Sequence, residues 1–393
     1  MSGMLTNALV FTTIAVGIVA LSAWWLYLSP VKSTVRSWRV SPALGISMAS
    51  ALGVSAALMV GGALWDASMH LLTGLVPGGQ DFLWPPHLLI YSGFLLAFAV
   101  GAAGLVVLVS SARGAGARDP RPWARAHPMI GAVVLASGYT LLAIPGDGLW
   151  HQLVGPDLTA WSPPHLAIAA ATTAVVLCGV GLLLQAGHGR RPSAWLAFGL
   201  YALLGLALNT LYTVGVLEWE LPSGLARIIA ERPGWAYPVV AGSVAFFVFS
   251  LARFSTGHRM AATATASSFL AFRFLVSTLL TSSGNVAPVT PLWCLPTALV
   301  IDLVPWRLLR GRAARDAALA AAYSLALTLV ATIELIGPTG RHSFTPGDAL
   351  LTTAILWSVC FGLTVVARRT GSFLGGEQGT PASTAALPAG MRP

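Results

Sequence analysis

His87-Leu-Leu-Ile-Tyr-Ser-Gly-Phe-Leu-Leu-Ala-Phe-Ala-Val-Gly-Ala-Ala-Gly-Leu-Val-Val-Leu-Val-Ser110 contains no Asp, Glu, Lys or Arg. About twenty predominantly apolar residues suffice to cross a bilayer as a helix, so this stretch reads as one crossing. Comparable runs recur along the chain, about eleven by the same criterion. Before it come Leu5–Leu28 and Ala43–Trp65, and after it Pro128–Ile144, Pro164–Gln185 and Ala194–Leu217. Ala236–Phe254, Ala262–Leu280, Pro291–Trp306, Ala314–Ile336 and Ala349–Ala367 complete the set. The expected fold is therefore all-α, a polytopic membrane helical bundle.

Composition agrees. The chain is 56% hydrophobic and 9% charged, where a soluble domain carries roughly a quarter charged residues. The net charge of +9 does not point to nucleic acid, because the basic residues sit in short loops between apolar runs. Lys32, Arg36 and Arg39 follow the first run; Arg113, Arg118, Arg121 and Arg125 the third; Arg190 and Arg191 the fifth. Arg253 and Arg259 follow the seventh, Arg307, Arg310, Arg312 and Arg315 the ninth, and Arg368 and Arg369 the last. Asp66, Asp81, Asp147, Asp157, Glu218, Glu220 and Glu231 occupy the intervening loops. Lys and Arg mark the cytoplasmic side, so the alternation predicts an N-terminus outside, a C-terminus inside and residence in the plasma (inner) membrane. The first run lacks a basic leader and reads as a retained helix rather than a signal peptide. Cys178, Cys294 and Cys360 lie within apolar runs as packing residues, with no disulfide framework.

The chain divides into a first helix and basic loop (1–42), a tandem two-helix repeat (43–186), six further crossings (187–369) and a Gly/Pro/Ala/Ser/Thr-rich tail (370–393), expected to be disordered. The repeat carries the chemistry. Asp66-Ala-Ser-Met-His70 leads through Asp81 to Trp84-Pro-Pro-His87, and Asp147-Gly-Leu-Trp-His151 leads through Asp157 to Trp161-Ser-Pro-Pro-His165. Asp and His at i and i+4 share a helical face. Each second His opens the next apolar run, its approach restricted by the Pro pair. Asp66, His70, His87, Asp147, His151 and His165 are thus six candidate metal ligands at one membrane level, and the chain has only eight His. Imidazole and carboxylate together leave copper, zinc and iron open. Asp81 and Asp157 read as groups that hold the loops or support the ligands rather than touch the ion. Trp65, Trp84, Trp150 and Trp161 read as an interfacial aromatic belt.

This tandem arrangement resembles the C subunit of the particulate methane and ammonia monooxygenases. That subunit twice presents an acid or amide, a His four residues on, and a later His. Asp147, His151 and His165 match one set closely; Asp66, His70 and His87 match the order of the other across a longer loop. The likeness covers the second to fifth runs only. It implies copper near the outer face and oxidation of a small apolar molecule, with other membrane subunits or further copies of the chain as partners beside the lipid bilayer.

Two charges fall inside apolar runs, Arg273 in the eighth and Asp302 in the ninth. Lone intramembrane charges are expensive, so the two are expected to form an ion pair. His127, His188 and His258 are expected to be solvated among arginines, and Glu334, Arg341 and His342 to form a solvated loop. No P-loop, dinucleotide motif, nucleophile elbow or His-Glu-x-x-His is present. The residues leave open a metal-dependent membrane enzyme, a transporter of a metal ion or protonatable solute, a scaffold subunit whose Asp/His pairs only hold loops, and haem ligation by paired His.

Overall fold

A computed structural model describes residues 2–31, 35, 40–73, 83–153, 160–187, 193–220, 233–304, 311–336 and 344–376. Among them there is no strand. Helix α1 (Ser2–Ala23) runs into a π-helical turn at Trp24–Leu28; α2 (Pro42–Thr73), α3 (Pro85–Gly114), the short α4 (Arg121–Ala126), α5 (Pro128–Leu153) and α6 (Pro163–Ala186) follow. The second half holds α7 (Ala194–Glu220), α8 (Ala236–Thr256), α9 (Ala261–Ser282), α10 (Cys294–Leu303), α11 (Arg312–Ile336) and α12 (Pro346–Leu374). Among the described residues nine helices are long and apolar enough to cross a membrane: α2, α3, α5, α6, α7, α8, α9, α11 and α12.

The burial pattern is that of a protein dissolved in lipid. Leu325 and Leu329 are 61% and 67% exposed within α11, whereas Ser55, Thr140, Asn209 and Arg273 are fully buried. Apolar side chains face the hydrocarbon and polar ones find partners inside the bundle. With no hydrophobic drive between helices in lipid, association rests on close packing at small residues. A Cβ on Gly93 of α3 would stand 2.7 Å from the Ser55 carbonyl oxygen of α2, and one on Gly205 of α7 would stand 2.9 Å from the Phe269 amide nitrogen of α9. Gly93→Val is expected to lower stability by about 1–3 kcal/mol through forced separation of α2 and α3. Gly138→Ala, where a Cβ meets nothing within 4 Å, is expected to be neutral or better. Thermal unfolding in detergent checks both.

Helices α2, α3, α5 and α6 close a four-helix ring in which α2 packs on α3 and α6, and α5 packs on α3 and α6. The hairpins α2–α3 and α5–α6 are repeats in the same orientation. Each second helix opens on a Pro pair, Pro85-Pro86 or Pro163-Pro164, with His87 or His165 as its third residue. Helix α7 joins this ring to the second group, and α12 packs on α8 and α11.

The two ends of the bundle differ in charge. At one end Arg253 of α8 lies 3.9 Å from Asp302 of α10. There Arg368 of α12 bonds Asp316 of α11 and stacks 4.7 Å from the Phe254 ring. Arg121 binds Asp119 and Ser29, and Arg125 donates to the Leu26 and Ser29 carbonyls, pinning α4 to the π-helical turn. The sequence reading had these arginines as loop charges and missed α4. His127, in the corner before α5, is half-buried rather than solvated, and burial pushes its imidazole below its ordinary pKa. The unfolded chain then binds its proton more readily, so this contribution to stability is present above the ordinary value of 6.5 and is lost as pH falls through it. His127→Asn is expected to flatten the decline in melting temperature over that acid window. His258 is exposed, its Nδ1 2.7 Å from the Tyr201 hydroxyl. His188, Arg341 and His342, and the side chain of Glu334, lie outside the described residues.

Two further expectations are corrected at this level. The ninth crossing, expected over Pro291–Trp306, is not a continuous helix. Helix α10 has ten residues, about 15 Å of rise against a hydrocarbon core of about 30 Å. Residues 285–291 before it have no regular secondary structure. Pro288 and Pro291 lack amide protons and disfavour a helix running through them. Non-helical backbone at membrane depth survives only where protein satisfies it. Here the carbonyls of Val286, Pro288 and Val289 accept from Ser68 of α2, and from Ser277 and Arg273 of α9. The segment 285–303 is thus a broken span, irregular in its first half and helical in its second. The tail boundary also shifts, because α12 continues to Leu374, where the Leu374 carbonyl accepts from Gln185 of α6.

Arg273 and Asp302 do not pair. Asp302 accepts from the backbone N–H groups of Ala262 and Thr263 and from the Thr263 hydroxyl, capping the start of α9. Arg273 lies ten residues further along α9, about 15 Å by helical rise. Its guanidinium stacks 4.9 Å from Tyr212 and 5.9 Å from Phe269.

Candidate metal centre

The last turns of α2 and α5 and the first turns of α3 and α6 meet at the end of the bundle away from the arginines. Asp66 lies two turns before the end of α2, and Asp147 lies at the corresponding depth of α5, two residues after Pro145, which removes one N–H from the helical ladder. The His87 Nε2 atom lies 3.1 Å from Asp66 Oδ1. The His165 Nε2 atom lies 3.8 Å from Asp147 Oδ1. All four side chains are between one-fifth and one-third exposed. Ser162 caps α6 and its hydroxyl accepts from the His165 amide at 3.4 Å, so the same turn that starts the helix orients the imidazole's backbone.

The two pairs share a neighbour. Tyr91 follows His87 by one turn of α3, their ring centroids 6.0 Å apart. Its phenol is within electrostatic reach of both Asp147 and Asp66. Tyr91 of α3 thus stands near the carboxylates of both repeats. Trp84 packs edge-on to His87, with centroids 5.8 Å apart. Of the expected aromatic belt, Trp150 is instead buried at 5% exposure, and Trp161 donates to the Val214 carbonyl of α7.

Of the six candidate ligands, the structure brings Asp66 to His87 and Asp147 to His165. His70 and His151 lie on the last turns of α2 and α5, each one turn beyond its Asp, and their side chains lie outside the described residues. So do Asp81 and Asp157, and the side chains of Glu218 and Glu220. Among the described residues no group of three or more His, Cys, Asp or Glu side chains stands ready to hold a metal ion.

Whether the donors fit a metal is a matter of spacing and chemistry. With metal–ligand bonds near 2.0–2.2 Å, neighbouring ligand atoms on one ion stand about 3–3.5 Å apart. The Asp66–His87 separation falls within that range, and the Asp147–His165 separation a few tenths beyond it. Both contacts are imidazole–carboxylate pairs, and a third donor for an ion at either would have to come from side chains outside the described residues.

Sequence reasoning passed over Tyr91 and Ser68. Tyr91 stands four residues after His87 inside an apolar run, a spacing that places both on one face. Ser68 lies within the Asp66–His70 turn and donates to the Val286 carbonyl, tying this turn to the broken span. No family model matches the chain, and neither curated proteins nor solved structures give a match, so the reading of this site rests on its own residues.

Proposed function

We infer that this integral membrane protein binds a transition metal, copper first, at the extracytoplasmic end of its bundle and acts there on a small apolar molecule. The observation that carries the reading is the pair of Asp–His contacts, one in each repeat, near Tyr91. The arginine-rich opposite end supports placing these groups on the outer side. Asp66, His70 and His87 would hold one ion and Asp147, His151 and His165 another, or the two sets would share one. Copper supplies redox chemistry toward oxygen. The chain's own part is to fix the ligand rings through the Pro-opened helix starts, to keep the Tyr91 phenol near both carboxylates, and to admit the substrate.

An apolar cavity of about 270 Å³ supports that last part. Val10, Ile14 and Ile18 of α1 line it with Tyr139 and Leu142 of α5 and Pro164 of α6. The volume is below the roughly 300–1,000 Å³ of sites for drug-sized ligands, so it suits a small molecule arriving through lipid. The test is oxygen consumption by the copper-loaded protein in nanodiscs supplied with short alkanes and a two-electron reductant such as a quinol. Consumption lost in Tyr91→Phe and His165→Ala supports the reading; wild-type protein that stays inert with copper bound opposes it.

A second reading, transport of a metal ion or protonatable solute, is favoured by the broken span. Discontinuous crossings are where transporters hold their cargo, and this one contacts the Asp66–His70 turn through Ser68. Metal-dependent flux into proteoliposomes, without oxygen consumption, would select it.

A further inference from the structure

We propose that the arginine end carries a binding site for a phosphate-bearing anion, separate from the Asp/His groups at the opposite end. A cavity of about 260 Å³ opens where the start of α11 meets the ends of α8 and α12. Phe254, Gly311, Arg312, Arg315, Asp316 and Arg368 line it. Three arginines against one aspartate leave the lining formally two positive charges in excess.

The arrangement is ordered rather than a loose surface cluster. Arg368 is held on both sides, bonded to Asp316 and stacked on the Phe254 ring. Asp316 is itself buried at 4% exposure and fixes Arg368 beside the cavity. Arg312 and Arg315 are exposed and reach the cavity from the first turn of α11. A guanidinium presents a planar fork of donors that matches phosphate oxygens. The first-turn amides of α11 add positive potential of the same sign.

The space suits the group. A cavity of about 260 Å³ has room for a phosphate group with part of its hydration. Basic pockets between crossing helices take anionic lipid headgroups, and a free phosphate offers the same oxygens. The shared chemistry is the phosphate; its source is what the measurement separates. Nothing in the Asp/His reading requires this site, and its loss leaves that reading intact.

Native mass spectrometry of the full chain released from nanodiscs tests it. Protein from phosphatidylglycerol discs is expected to keep bound lipid that protein from phosphatidylcholine discs does not. In Arg312→Gln/Arg315→Gln, retention is expected to weaken about 30-fold, as two arginine contacts are removed. Lipid that resists millimolar inorganic phosphate identifies a headgroup site. Lipid displaced by it, with phosphate binding in calorimetry, identifies a site for the free anion. Equal retention from both discs, with no phosphate binding by the wild type, overturns the proposal. Should the double variant fail to fold, the wild-type comparison decides alone.

Discussion

Replacing Arg273 by alanine is expected to lower the stability of the bundle by about 3 kcal/mol. The guanidinium is fully buried, lies over Tyr212 and Phe269, and donates to the Val289 carbonyl. A desolvated stack contributes about 2 kcal/mol. A buried carbonyl left without its donor costs about 1–3 kcal/mol more. The vacated volume adds a cavity term, and relief of charge burial opposes all three. The deficit concentrates on the irregular half of the broken span, because that carbonyl belongs to backbone with no helical ladder of its own. Hydrogen exchange over residues 285–293 is therefore expected to accelerate more than exchange in α9. Arg273→Lys restores only part, since an ammonium lacks the planar fork that stacks and donates together. A double-mutant cycle with Asp302→Ala is expected to give coupling within about 0.5 kcal/mol, as for independent sites. A coupling of several kcal/mol would mean that the two charges pair after all.

The second large effect is on metal affinity. His165→Ala and Asp147→Ala are each expected to weaken binding at their set by more than 100-fold, beyond the 10–100-fold of supporting groups. Tyr91→Phe is expected to fall within that 10–100-fold range, because it touches the ring and the field of the donors and not the ion. Since the Tyr91 phenol is in reach of both carboxylates, the tyrosine variant is expected to perturb whichever set keeps its metal in the other variants. Two wholly independent sites would leave one set untouched by Tyr91→Phe. Ala at both His87 and His165 with undiminished metal content and a lower melting temperature would instead mean that the pairs serve only to hold loops.

Much of the fold was legible because lipid imposes a single rule, that a crossing needs a long apolar run with its backbone satisfied internally. That rule reads α3 straight from His87–Ser110. It fails at Pro291–Trp306, since hydropathy registers composition and is blind to where carbonyls find donors. Pro288 and Pro291 were the available warning. Arg273 and Asp302 were joined on sign and proximity in order, without asking how far along their helices they lie. Asp302 is at the end of α10 and Arg273 near the middle of α9, so depth forbids what charge invites. The candidate site was legible as a repeated order of Asp and His. The place of Tyr91 near both carboxylates was not, because Tyr91 belongs to neither motif.

The central claim is that the Asp–His pairs of the two repeats hold a metal ion at one end of the bundle. Elemental analysis of the purified full chain, beside the His87→Ala/His165→Ala variant, tests it most directly. The account predicts at least one copper per wild-type chain, with nitrogen and oxygen neighbours at the metal edge in X-ray absorption, and loss of that copper in the variant. Less than one transition-metal ion per wild-type chain after copper loading, or the same content in both proteins, would contradict it.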